Sequence, residues 1–315
     1  MSGVANAPGA GRKSIGYLLL AAGMALVGTY VALSRPLTAV IPVFLLAWLR
    51  FAIAAIAMLP WLRATPADAR LDRRLLGTLF TQSLFGNFLF SICMLIGVSM
   101  TSATAAGVIL ASLPAVVALL SWLLLREPIG RRTLVAVMLA GAGIAALSLA
   151  RTGASGGEPS VLGNLLVFGS ACCEAVYVVL GKPLTRQLSP KRISAIINLF
   201  GLALMTPLGL WQALEFDFAA IGADTWALLV FYALAASMFA TWLWLTGLKS
   251  VPAAGSGVFT IAMPLAASGI GVALLGERPG LAHGFALACA IRAIWLAAAP
   301  DAAARRRMSP PARRI

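Results

Sequence analysis

The chain has 315 residues, of which 61% are hydrophobic and 11% are charged, and its mean hydropathy is +0.94. A soluble globular domain carries about 25% charged residues, so this composition predicts a membrane protein without a separate soluble domain. The net charge of +14 resides in predicted loops and at span ends, which indicates topology signals rather than a nucleic-acid partner.

Residues 1–13 form a Gly/Ala-rich segment that also resembles the first part of a signal peptide. The apolar run after it is about 20 residues long, which favours a retained first helix after a disordered tail. Residues 300–315 form a basic tail. Ten spans are predicted, at 14–34, 40–62, 74–98, 101–125, 132–150, 161–181, 191–212, 225–248, 252–275 and 281–299.

An internal repeat organises these spans. Residues 97–143 recur 150 residues later, where Gly97 matches Gly247, Pro114 matches Pro264 and Glu127 matches Glu277. The first two spans repeat as well, at an offset near 147. We therefore expect two five-helix repeats, at 14–150 and 161–299, and an odd number of helices inverts the second repeat in the membrane.

Basic residues predict the orientation. With a cytoplasmic N-terminus, the inner segments hold 19 of the 24 Lys and Arg, and the outer segments hold only Arg35, Arg151 and Arg278. Both termini are thus expected in the cytoplasm. Matching loops of the two repeats carry opposite charge bias, as an inverted repeat requires.

Each repeat has an apolar span with a central proline, a glutamate-containing turn and a Gly-rich second span. In these features the chain resembles the EamA type of drug/metabolite transporter, over about residues 14–299. The resemblance implies an all-α integral membrane protein of ten helices that exports small metabolites across the bacterial inner membrane. Neutral or aromatic amino acids are the expected substrates, as in YddG-like exporters. One alternative is a multidrug or cationic metabolite exporter, whose cationic substrates would be attracted by Glu174 and the tryptophans. The other alternative is a passive channel.

The resemblance, together with polar and aromatic stripes on several spans, implies a central site at the membrane midplane, against helices 1, 3, 4, 6, 8 and 9. Small residues with a tyrosine on helices 1 and 6 indicate either close helix packing or a cavity wall. Periodicity leaves open whether the other stripes face substrate or neighbouring helices. The candidate substrate-binding residues are Tyr30, Arg50, Gln82, Ser83, Asn87, Glu174, Tyr177, Ser237, Thr241, Trp242, Trp244, Ser256 and Thr260.

Ionisable groups inside spans are costly, about 2.5–3.5 kcal/mol at a helix centre, so each needs a reason. Arg50 and Glu174 are expected either to contact an amino acid, with Glu174 also able to carry a proton, or to be structural. Arg292 is expected to bond carbonyls or lipid headgroups, and His283 to lie at the surface. Pro114 and Pro264 are candidate hinges, although prolines are also ordinary in transmembrane helices.

Enzymatic function is not expected. A single histidine and the lack of an aspartate inside the spans leave no hydrolase constellation, and no Walker motif for ATP occurs. The four cysteines lie in apolar runs without metal-ligand spacing. We therefore expect no cofactor or metal, and the expected partners are a small-molecule substrate and the lipid bilayer.

Overall fold

The computed structural model describes residues 10–33, 35–100, 109–110, 112–150, 161–263, 265–266, 269 and 281–298. Within these ranges the chain forms ten principal helices and no strand. They are α1 Ala10–Leu33, α2 Val43–Ala57, α3 73–99, α4 Leu113–Leu125, α5 Arg131–Ala150, α6 Val161–Leu184, α7 Pro190–Leu214, α8 Ala223–Ser250, α9 253–261 and α10 Leu281–Ala298. The helices follow the order of the ten predicted spans, and the all-α membrane fold is confirmed.

Four stretches in the described ranges are long and apolar enough to cross a membrane: Arg73–Met94, Val161–Leu184, Pro190–Leu214 and Ala223–Ser250. Shorter apolar helices include Val43–Ala57 and Leu113–Leu125. Large apolar side chains such as Trp122, Leu214 and Trp295 are exposed on the outside of the bundle. Such a surface is stable when lipid covers it.

The helices pair as an inverted repeat predicts. α1 packs against α8, and the equivalent helices of the other repeat, α6 and α3, pack against each other in the same way. α2 packs against its own counterpart α7, and α5 packs against its counterpart α10. Exchanging the first five helices for the last five therefore leaves this pattern unchanged. The hydrophobic core lies between the two repeats and draws residues from both.

Glycines allow the two equivalent helix crossings. A Cβ atom at Gly247 of α8 would lie 2.6 Å from the carbonyl oxygen of Gly16 in α1. A Cβ at Gly97 of α3 would lie 3.1 Å from the carbonyl oxygen of Gly163 in α6. Because these glycines match between the repeats, the structure uses the small-residue faces of α1 and α6 for close packing at these points.

α3 and α8 each contain a π-helical segment at the same position of the repeat. The segments are Leu84–Leu89 in α3 and Leu234–Ala240 in α8. A π-helical turn accommodates an extra residue and changes the direction of the side chains that follow, and such turns are frequent at functional sites. Both segments lie near the middle of their helices.

Pro114 lies in the first turn of α4 rather than in a helix interior, because α4 begins at Leu113. Residues 109–110 before it are helical and Ser112 forms a turn. A proline in a first turn removes no helical hydrogen bond, since that N–H has no partner within the helix. Pro114 therefore lies at a helix start rather than at the expected mid-helix position, and its role as a hinge stays a prediction. Pro264 lies outside the described residues.

Lys182, near the C-terminal end of α6, caps the end of α8. Its Nζ donates to the carbonyl oxygens of Leu248 at 2.7 Å, Lys249 at 3.3 Å and Val251 at 2.6 Å. The residue is only 7% exposed. Three ammonium hydrogens thus satisfy carbonyls that the end of a helix leaves without partners.

Two contacts join the repeats at this same end of the bundle. Glu127 Oε2 accepts from the backbone N–H of Ala254, at the start of α9, at 2.9 Å. Asp68, in the connection between α2 and α3, accepts from the backbone N–H of Ser189 just before α7. Asp68 also forms an ion pair with Arg192 at 3.9 Å. The first repeat is therefore tied to the second by two carboxylates.

Candidate substrate-binding site

A small polar cavity lies where α2, α3, α7 and α8 meet. Its volume is about 30 Å³, and both repeats contribute to its wall. The two π-helical segments supply Asn87 and Ser237, which occupy matching positions in the repeats. The lining residues are Arg50, Phe51, Asn87, Ser194, Ile197, Asn198, Ala236, Ser237 and Thr241.

Three of these lining residues carry a buried polar atom without a hydrogen-bond partner in the described part of the chain. They are Nε of Arg50, Oδ1 of Asn198 and Oγ of Ser237. Asn198 is 2% exposed and Ser237 is 6% exposed. Buried polar groups are nearly always paired in folded proteins, so three unpaired groups around one cavity indicate a place for a polar ligand or water.

Arg50 reaches the cavity from α2. Its guanidinium carbon lies 4.4 Å from the centroid of the Phe51 ring and 6.0 Å from that of Tyr232. These aromatic faces stabilise the cation in part. It forms no ion pair or hydrogen bond with any residue of the described ranges. The cavity therefore contains a positive charge without a neighbouring carboxylate among those residues.

A hydrogen-bonded frame holds the other cavity residues. Asn87 Nδ2 donates to Ser83 Oγ at 3.1 Å and to the carbonyl oxygen of Ile197 at 3.2 Å, and Ser83 donates to that same carbonyl at 2.7 Å. Asn198 Nδ2 donates to the carbonyl oxygen of Phe51 at 2.9 Å. These bonds join α3 to α7 and α7 to α2, so the wall is fixed across the repeats.

Trp242 of α8 forms an aromatic pair with Trp61, which lies in the connection after α2. Trp242 directly follows the cavity residue Thr241, and its ring centroid is 6.1 Å from that of Trp61. Lys191 Nζ lies 5.6 Å from the Trp61 ring and 5.8 Å from the Trp242 ring. Lys191 is one turn before the cavity residue Ser194 on α7. The ammonium of Lys191 thus lies within cation–π distance of both indoles.

Several predicted site residues are placed in packing contacts instead. Gln82 donates to the carbonyl oxygen of Tyr177 at 3.1 Å, and the Tyr177 ring packs over Gly86. Ser256 and Thr260 are buried in α9 and donate to carbonyl oxygens of their own helix. None of these four residues lines the cavity.

Trp244 and Glu174 do not line the cavity either. Trp244 belongs to the hydrophobic core and its backbone lies next to Gly23 of α1. Glu174 is partly buried in α6 and forms no hydrogen bond or ion pair with a described residue. The side chain of Tyr30 lies outside the described residues. Four predicted residues, Arg50, Asn87, Ser237 and Thr241, therefore line one cavity, and Ser83 supports it.

α7 supplies cavity residues that sequence reasoning missed. Ser194 and Asn198 lie one turn apart in a helix that is otherwise apolar around them. An amide in the middle of a span is costly unless it has a function or a partner, and this signal was present in the sequence. Phe51 is also in the wall, next to the predicted Arg50.

Comparison with known proteins agrees with this architecture. The EamA-like transporter family model matches the chain twice, at residues 14–149 and 161–299. The chain belongs to the EamA-like transporter family. The EamA resemblance inferred from the sequence is confirmed, and the family points to a transporter rather than an enzyme.

Relatives and a solved structure are similar over most of the chain. The "uncharacterized transporter YetK" of Bacillus subtilis (strain 168) is 35% identical over 291 residues, which cover 90% of this chain and 87% of that protein. The "uncharacterized transporter YwfM" of the same organism is 29% identical over 176 residues, covering 55% of this chain and 57% of that protein. A protein crystal structure with 21% identity has a TM-score of 0.73 and covers 93% of this chain and 99% of that chain, which shows a shared fold. This EamA-like protein is thus a membrane transporter.

Proposed function

We propose that this EamA-like transporter is a secondary carrier that exports small metabolites, chiefly neutral and aromatic amino acids, across the bacterial inner membrane. The observation that carries the proposal is the polar cavity, whose wall combines residues from both repeats and includes three polar atoms that have no partner in the described ranges. A site between two inverted repeats is the arrangement by which rocking of the repeats exposes one solute to each side in turn.

Contacts between the repeats on both sides of the cavity support a carrier rather than a passive channel. Toward one end, Asp68 accepts from the backbone of Ser189. Toward the other, the backbone N–H of Leu45 in α2 donates to Gln212 Oε1 in α7 at 2.8 Å. A carrier passes through a state that is closed at both ends, whereas a channel needs a continuous path.

The distribution of basic residues supports a cytoplasmic position for the end that carries Asp68 and Lys182, because most Lys and Arg belong to that end. The N- and C-termini are then cytoplasmic too. In this orientation the two carboxylate ties hold the cytoplasmic end of the carrier closed. Export requires that these ties open to admit the solute and form again behind it.

The composition of the cavity supports amino acids as substrates. Arg50 supplies a cation for a carboxylate, while hydroxyl and amide groups supply further hydrogen bonds. A cationic drug is the second candidate, because Trp61 and Trp242 already hold the ammonium of Lys191 between them. A drug cation has to compete with that ammonium and with the charge of Arg50.

Purified protein in liposomes tests this function directly. Uptake of labelled amino acids and cationic dyes is measured with unlabelled solute inside, because only a carrier accelerates exchange by counterflow. Saturable counterflow of amino acids supports the proposal. Counterflow of dyes alone favours the second candidate, and flux that does not saturate indicates a channel.

The same vesicles test the coupling ion. If Glu174 carries a proton, Glu174→Gln abolishes the dependence of transport on a pH gradient while amino-acid exchange continues. An unchanged pH response in this variant excludes Glu174 as the proton carrier.

A further inference from the structure

We propose that the cavity recognises the zwitterionic head of an α-amino acid, with Arg50 and Ser237 binding the carboxylate and Asn198 binding the ammonium. The inference rests on the proposed function in that the same cavity binds the transported solute. It goes further by assigning each charged group of the solute to an atom of the wall.

The charge of Arg50 sets the first requirement. Arg50 is half-buried and its Nε is buried, and a cation withdrawn from water is normally paired with an anion. Arg50 has aromatic faces but no carboxylate among the described residues. A guanidinium presents its N–H groups in a fork that matches the two oxygens of a carboxylate. The ligand that best completes this environment therefore brings a carboxylate.

The two neighbouring unpaired atoms differ in chemistry. Ser237 Oγ can donate a hydrogen bond, which suits a carboxylate oxygen. Asn198 Oδ1 carries no hydrogen and can only accept, and the bond from Nδ2 to the carbonyl oxygen of Phe51 fixes the orientation of the amide. A carboxylate placed against this oxygen is repelled, whereas an ammonium group donates to it. The wall thus provides two donors and one acceptor, which complement a zwitterion.

The cavity is smaller than an amino-acid head group in this structure, so it must widen to admit one. A space of about 30 Å³ holds one or two waters and is too small for an entire amino acid. The side chain of the solute must therefore lie beyond this cavity when the carrier opens. The subsite then selects α-amino acids as a class, while regions outside it discriminate among side chains.

Binding to purified protein with three probes that share a phenylethyl skeleton tests the assignment. The probes are L-phenylalanine, 3-phenylpropionate, which lacks the ammonium, and phenethylamine, which lacks the carboxylate. We expect L-phenylalanine to bind most tightly, phenylpropionate more weakly and phenethylamine least. Since a hydrogen bond to a charged group is worth about 1.5–3 kcal/mol, each missing group should raise the Kd roughly 10- to 100-fold.

Ser237→Ala is the central variant, because Ser237 Oγ has no partner among the described residues and its removal sacrifices no known bond within the protein. We expect it to raise the Kd for L-phenylalanine and for phenylpropionate about tenfold. Arg50→Gln should abolish the advantage of the carboxylate probes over phenethylamine. Arg292→Gln is the matched control, since Arg292 is exposed on α10 and should leave every Kd unchanged.

The outcomes separate the subsite from the function. If L-phenylalanine is exchanged in liposomes but Ser237→Ala and Arg50→Gln bind it like the wild type, the subsite is wrong and the function stands. If no amino acid is exchanged but phenylpropionate binding depends on Arg50 and Ser237, the function is wrong and the carboxylate assignment stands. Preferential binding of phenethylamine, or no binding of any probe, overturns the subsite.

Discussion

The carbonyl oxygen of Gly16 in α1 lies where a side chain of Gly247 in α8 would begin, 2.6 Å from an ideal Cβ position. The equivalent crossing joins Gly163 of α6 to Gly97 of α3. The two crossings are related by the internal repeat, so the same backbone approach is used twice with opposite orientation. These crossings hold α8 against α1 and α3 against α6, and α3 and α8 are the helices that contain the π-helical segments.

Gly247→Ala tests this packing. The added methyl group collides with backbone rather than with a flexible side chain, so we expect a loss of about 1–3 kcal/mol in stability. Gly284→Ala is the matched control, because nothing lies within 4 Å of its added Cβ. The measurement is the unfolding midpoint in detergent. Equal midpoints for the two variants contradict the close crossing.

Lys182→Met removes the cap at the end of α8. Three carbonyl oxygens lose their donor in a region with little water, and each unsatisfied group costs about 1–3 kcal/mol when buried. We expect a clear fall in the unfolding midpoint of the purified protein. The control is Lys249→Met, which removes the neighbouring exposed ammonium. If the unfolding midpoint falls as far in Lys249→Met as in Lys182→Met, Lys182 does not stabilise the end of α8 as a cap.

Glu127→Ala breaks the tie between α4 and α9. Loss of a side chain that caps a helix start costs about 0.5–2 kcal/mol, and Glu127→Gln should lose less because its amide oxygen still accepts. Glu215→Ala, at an exposed position after α7, serves as the control. The comparison uses unfolding in detergent, and the account fails here if Glu127→Ala is as stable as the control.

Asp68 gives the end of the bundle where it lies a dependence of stability on pH. Burial raises the pKa of this carboxyl, but hydrogen bonds from Thr65 and Ser189 outweigh that effect and leave the pKa below 3.8. The ionised form therefore stabilises the folded protein above pH 3.8, and this contribution is lost as the pH falls through the lower folded pKa.

Asp68→Asn should remove that part of the acid sensitivity. We expect the wild type to be more stable than the variant near neutral pH and the difference to shrink as the pH falls below 3.8. Unfolding midpoints across an acid pH series measure it. A stability difference that is constant with pH rules out ionisation of Asp68 as the cause.

The fold was accessible from the sequence because hydropathy, the repeat and the basic residues act over whole helices. The cavity was only partly accessible. Arg50 stands out in the sequence as a charge inside a predicted span. Ser237 stands out because the matching position of the other repeat, Asn87, is also polar. Asn198 has no polar counterpart in the repeat pattern and was overlooked, although an amide in an apolar span is a signal in itself.

Other predicted residues show why periodicity overestimates a site. The hydroxyls of Ser256 and Thr260 donate to carbonyls of their own helix, so they are satisfied without any cavity. Tyr177 fills the space left by Gly86, a long-range packing relationship that a helical wheel does not reveal. The π-helical segments, which direct Asn87 and Ser237 to the cavity, likewise depend on tertiary packing.

Thiol labelling of Ser237→Cys tests the central claim that the cavity is the binding site of an alternating-access carrier. The four native cysteines are replaced by alanine, and membrane-impermeant reagents are applied to right-side-out and inverted vesicles. Ser121→Cys is the control, because Ser121 is fully buried in α4 and does not line the cavity. We predict that Cys at 237 reacts from both sides, that L-phenylalanine protects it, and that Cys at 121 does not react. Reaction from one side only, or reaction that the amino acid leaves unchanged, would contradict the account.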